Sequence, residues 1–135
     1  MQHTKIKLLL LLFVLFLTGC TSAQTDLQQI TAPDLNRTTK IIFINSSSGE
    51  RVVTEDLLKI REFTSYLKDF VLQESSNTDQ ELSPLWEVQF YKNGELAAQL
   101  MFQTPLYIDG TYYDILEPEL DMAAIERFIA NLPQE

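Results

Sequence analysis

The sequence predicts an α+β domain: a largely antiparallel sheet of about six strands in three hairpins, with two amphipathic helices on one face, in the order β-β-α-β-β-β-β-α. Three observations predict it. Apolar and polar residues alternate through 86–103; clusters of Ser, Asn, Asp and Gly separate short β-branched and aromatic runs; and apolar residues recur at helical spacing in two windows. The chain has 135 residues, which suits one domain, and its 10 Lys+Arg against 19 Asp+Glu give a formal charge of -9. No run of cations interrupts that acidic balance, which excludes a nucleic-acid binder. With Gly 4, Pro 5 and Cys 1, collagen-like, disulfide-rich and multi-pass membrane classes are excluded as well.

The domain is expected to begin at Thr39 and run to the end, residues 39–135. Ile41, Ile42, Phe43 and Ile44 form a first strand, Asn45 to Gly49 a turn, and Arg51, Val52 and Val53 the return strand. The serines between them read as turn residues, because a nucleophilic serine needs a base and a strand-to-helix elbow. Thr54 is placed to cap a helix over about 55–72, whose stripe is Leu57, Ile60, Phe63, Leu67 and Phe70. Gln73 to Pro84 is a polar loop. Within it Asn77, Asp79 and Glu81 alternate like the start of a calcium loop, but Leu82 stands where that loop requires glycine and Val88 where it requires glutamate. Looser calcium binding by Glu74, Asp79 and Glu81 is the alternative reading, a calcium-stabilised structural domain.

Trp86, Val88 and Phe90 on one strand face Leu96, Ala98, Leu100 and Phe102 on the next, across a turn at Asn93-Gly94. A two-residue turn sets the two apolar rows on different faces. A three-residue loop, Lys92-Asn93-Gly94, instead pairs Phe90 with Leu96, Val88 with Ala98 and Trp86 with Leu100, and burial favours it, with Gly94 left-handed. A third hairpin turns at Asp109-Gly110, between Leu106-Tyr107-Ile108 and Tyr112-Tyr113, continuing to Ile115. Asp121 caps a last helix with the stripe Met122, Ile125, Phe128, Ile129 and Leu132, which Pro133 ends.

Both helices are expected on the face of Trp86, Val88 and Phe90. The other face then carries Glu87, Gln89, Tyr91, Ala97, Gln99, Met101 and Gln103, a mixture suited to water or to a partner. Candidate partner-binding residues are Tyr91, Gln89, Gln99, Tyr107 and Tyr112. Tyrosines supply rigid amphipathic area, and glutamine amides both donate and accept hydrogen bonds.

Catalysis has little to work with. His3 is the only histidine and precedes the domain, and Gly49, Gly94 and Gly110 are each assigned to a turn, which leaves no phosphate cradle. No catalytic residue, cofactor or metal site is expected. The remaining catalytic alternative is a carboxylate-dependent glycosidase, which needs two acids about 5–10 Å apart in a cleft.

The N-terminus has a different character. Lys5 and Lys7 precede an apolar run from Leu8 to Leu17, too short to span a bilayer, and Thr18-Gly19-Cys20 follow. The segment Leu17-Thr18-Gly19-Cys20 resembles the lipobox of bacterial lipoproteins. That resemblance implies a signal peptide at 1–19, a diacylglyceryl group on Cys20, and anchoring to the cell membrane on the side facing away from the cytoplasm. A simple secretion signal and an uncleaved anchor are the competing readings. Residues 20–38, polar with isolated Leu27, Ile30 and Leu35, read as a lipidated flexible tether. Loss of Lys5 and Lys7 leaves 8 basic against 19 acidic side chains, or -11, so a basic partner or a divalent cation is favoured over an acidic one, and the expected partner is a basic envelope protein or an envelope polymer. The plan is similar to small uncharacterised lipoproteins of Gram-positive bacteria, with turns like Tyr91-Lys92-Asn93-Gly94-Glu95 and Asp109-Gly110-Thr111-Tyr112-Tyr113; this likeness implies no known activity and no catalytic residue, and the binding or adaptor role at the envelope is read from the open sheet face.

Overall fold

The computed structural model describes residues 23–76 and 85–133. It is an α+β fold in which one antiparallel sheet carries three helices. The strands are β1 (Gln24–Asp26), β2 (Lys40–Asn45), β3 (Arg51–Thr54), β4 (Val71–Glu74), β5 (Trp86–Lys92), β6 (Glu95–Phe102), β7 (Leu106–Ile108) and β8 (Thr111–Glu117). The helices are α1 (Leu27–Leu35), α2 (Leu57–Lys68) and α3 (Met122–Ala130). Across the sheet the order is β1-β4-β8-β7-β6-β5-β2-β3. Among the described residues no helix is long and apolar enough to cross a membrane.

Among the described residues the sheet therefore has eight strands, not about six, and there are three helices, not two. Residues 24–35, expected within the tether, form β1 and α1. Leu27, Ile30, Thr31 and Leu35 lie at helical spacing on one side of α1, and Leu27 and Leu35 belong to the core. Buried Thr31 occupies that apolar row and satisfies its hydroxyl by donating to the Leu27 carbonyl at 2.9 Å. A hydroxyl in the row, in a helix of nine residues, is why periodicity alone reads this segment as isolated apolar residues. β4 replaces the expected end of the long helix. Val71 and Leu72 pair with Asp26 and Thr25 on one side and with β8 on the other, which satisfies their backbone groups while burying Leu72.

α2 starts later than expected because Asp56, not Thr54, is its cap. The Asp56 carboxylate accepts from the Leu58 and Lys59 amides at 2.8 and 3.4 Å, while Thr54 Oγ1 accepts from the Asp56 amide. The helix buries Ile60, Phe63, Thr64 and Leu67. Phe63 is the centre of the core: its ring meets Phe43 at 5.0 Å, Phe128 at 5.3 Å, Phe90 at 6.2 Å and Phe102 at 6.4 Å between centroids. One ring thus touches three strands and α3. α3 is capped as expected by Asp121, whose carboxylate accepts from the Ala124 amide at 3.0 Å.

The central hairpin resolves its register differently from either expectation. Asn93 and Gly94 have φ of 51° and 85°, both left-handed, as a two-residue type I′ turn demands. Lys92 pairs with Glu95 and Tyr91 with Leu96, after which a bulge at Ala97 shifts the register by one. Phe90 then faces Ala98, Val88 faces Leu100 and Trp86 faces Phe102. The three-residue loop is therefore corrected: the tight turn and the common apolar face coexist because the bulge absorbs the extra residue. The third hairpin turns, as expected, at Asp109-Gly110.

Candidate functional site

Alternation along β5 sends Trp86, Val88 and Phe90 into the core and leaves Glu87, Gln89 and Tyr91 half-buried on the face opposite the core. Register then aligns two rows across several strands. One runs Arg51, Ile44, Glu87, Met101, Tyr107, Tyr112; the other runs Val53, Ile42, Gln89, Gln99. All five candidate residues, Tyr91, Gln89, Gln99, Tyr107 and Tyr112, lie on this face.

Their side chains are not independent. Gln89 Nε2 donates to Glu87 Oε1 at 2.6 Å, and Gln99 Nε2 donates to the same oxygen at 2.7 Å. Tyr91 donates its hydroxyl to Gln89 Oε1 at 2.9 Å. Lys40 Nζ lies 4.8 Å from the Tyr91 ring centroid, within cation–π range. The backbone of Gln99 is held in turn by Asp109, whose carboxylate accepts from the Gln99 amide at 2.8 Å and whose own amide donates to the Gln99 carbonyl at 3.1 Å. Beside this network Tyr107 and Tyr112 meet edge to face at 5.1 Å, but no hydrogen bond joins them to Gln89 or Gln99. Ile42, on the same side, is only 6% exposed although no described helix covers that face.

Glu87 is the hub that sequence reasoning did not single out. It was legible only as one polar position in an alternation; its role follows from facing Met101 while Gln89 faces Gln99. Two amides converge on Oε1, and Oε2 has no hydrogen-bond partner among the described residues. The half-buried carboxylate is thus fixed in place with one acceptor oxygen left for an incoming donor.

Cys20 lies outside the described residues, as do Asn77, Asp79, Glu81 and Leu82 of the suggested calcium loop. Among the described residues no group of three or more His, Cys, Asp or Glu side chains could hold a metal ion. Two acids, Asp114 and Glu119, line a groove of about 360 Å³ near Pro105 and Leu120, and both are exposed. On the helical side, burial pushes the Tyr66 phenol above its ordinary value, desolvation being the largest cause. The Asp121 backbone pulls it down and the Asp121 carboxylate pushes it up, both more weakly. The buried hydroxyl makes no hydrogen bond of ordinary geometry, so the Asp121 backbone acts on it as a nearby dipole.

No family model matches the chain, and no curated protein or solved structure matches it either.

Proposed function

We propose that the chain is an extracytoplasmic lipoprotein, fastened to the cell membrane through a fatty-acylated Cys20, whose domain is a non-catalytic binding module for a basic envelope protein. The observation that carries the binding reading is the Glu87 carboxylate, oriented by Gln89 and Gln99, with Oε2 open to an incoming donor. It sits in a row with Met101, Tyr107 and Tyr112, residue types enriched at protein interfaces, and a cationic partner suits the acidic chain. The exposed carboxylates Asp114 and Glu119 support binding over glycoside hydrolysis, since a proton-donating acid is ordinarily enclosed. The membrane reading rests on Leu17-Thr18-Gly19-Cys20. Because β1 starts at Gln24, the chain from Cys20 to the sheet reaches at most about 14 Å, so the domain rides close to the lipid surface.

Mass spectrometry of the membrane fraction tests the anchor: a diacylglyceryl adduct on Cys20 at a new N-terminus is expected, and an unmodified thiol in a chain retaining Met1 refutes it. For the sheet face, envelope proteins are captured on residues 21–135 and on the Tyr91→Ala/Gln99→Ala variant. A basic protein retained by the first and lost from the second is expected, and equal recovery removes this face from the mechanism.

A further inference from the structure

Eight cations follow Cys20, and the fold draws three of them to one place. Arg37, in the turn after α1, meets Arg61 and Lys68 of α2 along a groove of about 390 Å³, within the roughly 300–1,000 Å³ of small-molecule pockets. Among the described residues no Asp or Glu lines it, although the chain carries nearly twice as many acids as bases. Among the described residues the ion pairs are Lys59 with Glu62 and Arg127 with Asp121, so none of the three groove cations is paired there.

We propose that this groove binds a phosphate-bearing anion. Three like charges around one concavity repel each other, and an anion seated between them converts that repulsion into attraction. Two guanidinium forks match phosphate oxygens in geometry as well as charge, and the Ser65 hydroxyl and the Asn36 amide add neutral donors. A bland account covers part of the cluster: Arg37 and Lys68 sit at the ends of α1 and α2, where carbonyl dipoles favour cations. It does not cover Arg61, which lies in the middle of α2 and lines the groove one turn from Leu57 and Ser65. Leu57, which lines the groove, is 55% exposed, so the groove also has an apolar border that fits a phosphate carrying a hydrocarbon portion. No sequence run announces the site, because Arg61 lies 24 positions after Arg37. The groove is on the helical side of the sheet, so this inference does not rest on the Glu87 face.

The test is calorimetric titration of the full-length chain in a non-ionic detergent with three probes: pyrophosphate, glycerol 3-phosphate and a short-chain phosphatidylglycerol. One-to-one binding of at least one probe is expected. Arg61→Gln should weaken it about tenfold or more, the loss of a charge-assisted hydrogen bond, while Arg51→Gln, an exposed cation on the far edge strand, leaves it unchanged. Binding of the lipid alone identifies a headgroup as the source of the phosphate, and binding of pyrophosphate or glycerol 3-phosphate identifies a free one. If none of the three binds, or if both variants weaken binding equally, the groove is not a site. Arg61 is exposed, and an unchanged melting temperature for Arg61→Gln establishes that the fold is intact.

Discussion

Replacing Phe63 by alanine tests whether the helical layer and the sheet are one cooperative unit. The ring is 2% exposed and contacts four other phenylalanines, three from the sheet and Phe128 from α3. Truncating a buried phenylalanine costs about 3–5 kcal/mol through lost transfer energy and the cavity left behind. The four ring contacts, each worth about 0.5–1.5 kcal/mol beyond area, place this site in the upper part of that range. Natural domains have only about 5–15 kcal/mol to lose. For about 110 residues the unfolding entropy near the midpoint is roughly 0.23 kcal/mol/K, so a loss of 4 kcal/mol lowers Tm by about 17 °C. Thermal unfolding followed by circular dichroism gives the number, with Leu58→Ala on the exposed side of the same helix expected to stay within about 0.5 kcal/mol. A drop below about 4 °C for Phe63→Ala would mean that α2 does not pack on the sheet as described, and the groove beside it would lose its geometry too.

Three other changes probe separate links. Asp56→Ala removes the acceptor for two amides at the start of α2 and should cost about 1 kcal/mol in urea unfolding, whereas Thr54→Ser, which keeps the hydroxyl, should cost less. Tyr66→Phe deletes a buried hydroxyl without a partner and should stabilise by about 1 kcal/mol. Its pH dependence has a definite sign: the folded phenol holds its proton above the ordinary 10.0, so titration of this group leaves stability unchanged below that pH and lowers it as pH rises beyond it. Comparing unfolding at about pH 8 and about pH 11 should show a smaller alkaline loss for Tyr66→Phe than for the parent chain. Gly94→Ala meets no steric neighbour, so its whole cost is the left-handed φ of 85°, about 1 kcal/mol by chemical denaturation.

Some features were legible because their causes are local. Apolar stripes at helical spacing announce α2 and α3, Asp121 announces the start of α3, and Asp-Gly and Asn-Gly announce two turns. The apolar face of Trp86, Val88 and Phe90 and the polar face of Glu87, Gln89 and Tyr91 follow from strict alternation. Where two local signals conflicted, sequence reasoning chose wrongly. A tight Asn-Gly turn and a shared apolar face seemed incompatible, and the bulge at Ala97 reconciles them at the expense of one unpaired residue.

What the sequence determined by itself is the set of preferences carried by neighbours along the chain: α+β class, hairpins and acidic charge. Only the tertiary structure decided that residues 24–35 join the fold and that 71–74 form a strand, because short strands and a nine-residue helix are stable only against partners supplied from elsewhere. It alone made Glu87 a hub and gathered Arg37, Arg61 and Lys68 at one groove. Side chains distant in sequence acquire a common chemistry only when packing sets the distances between them, and burial across the whole sheet, more than any local preference, sets that packing.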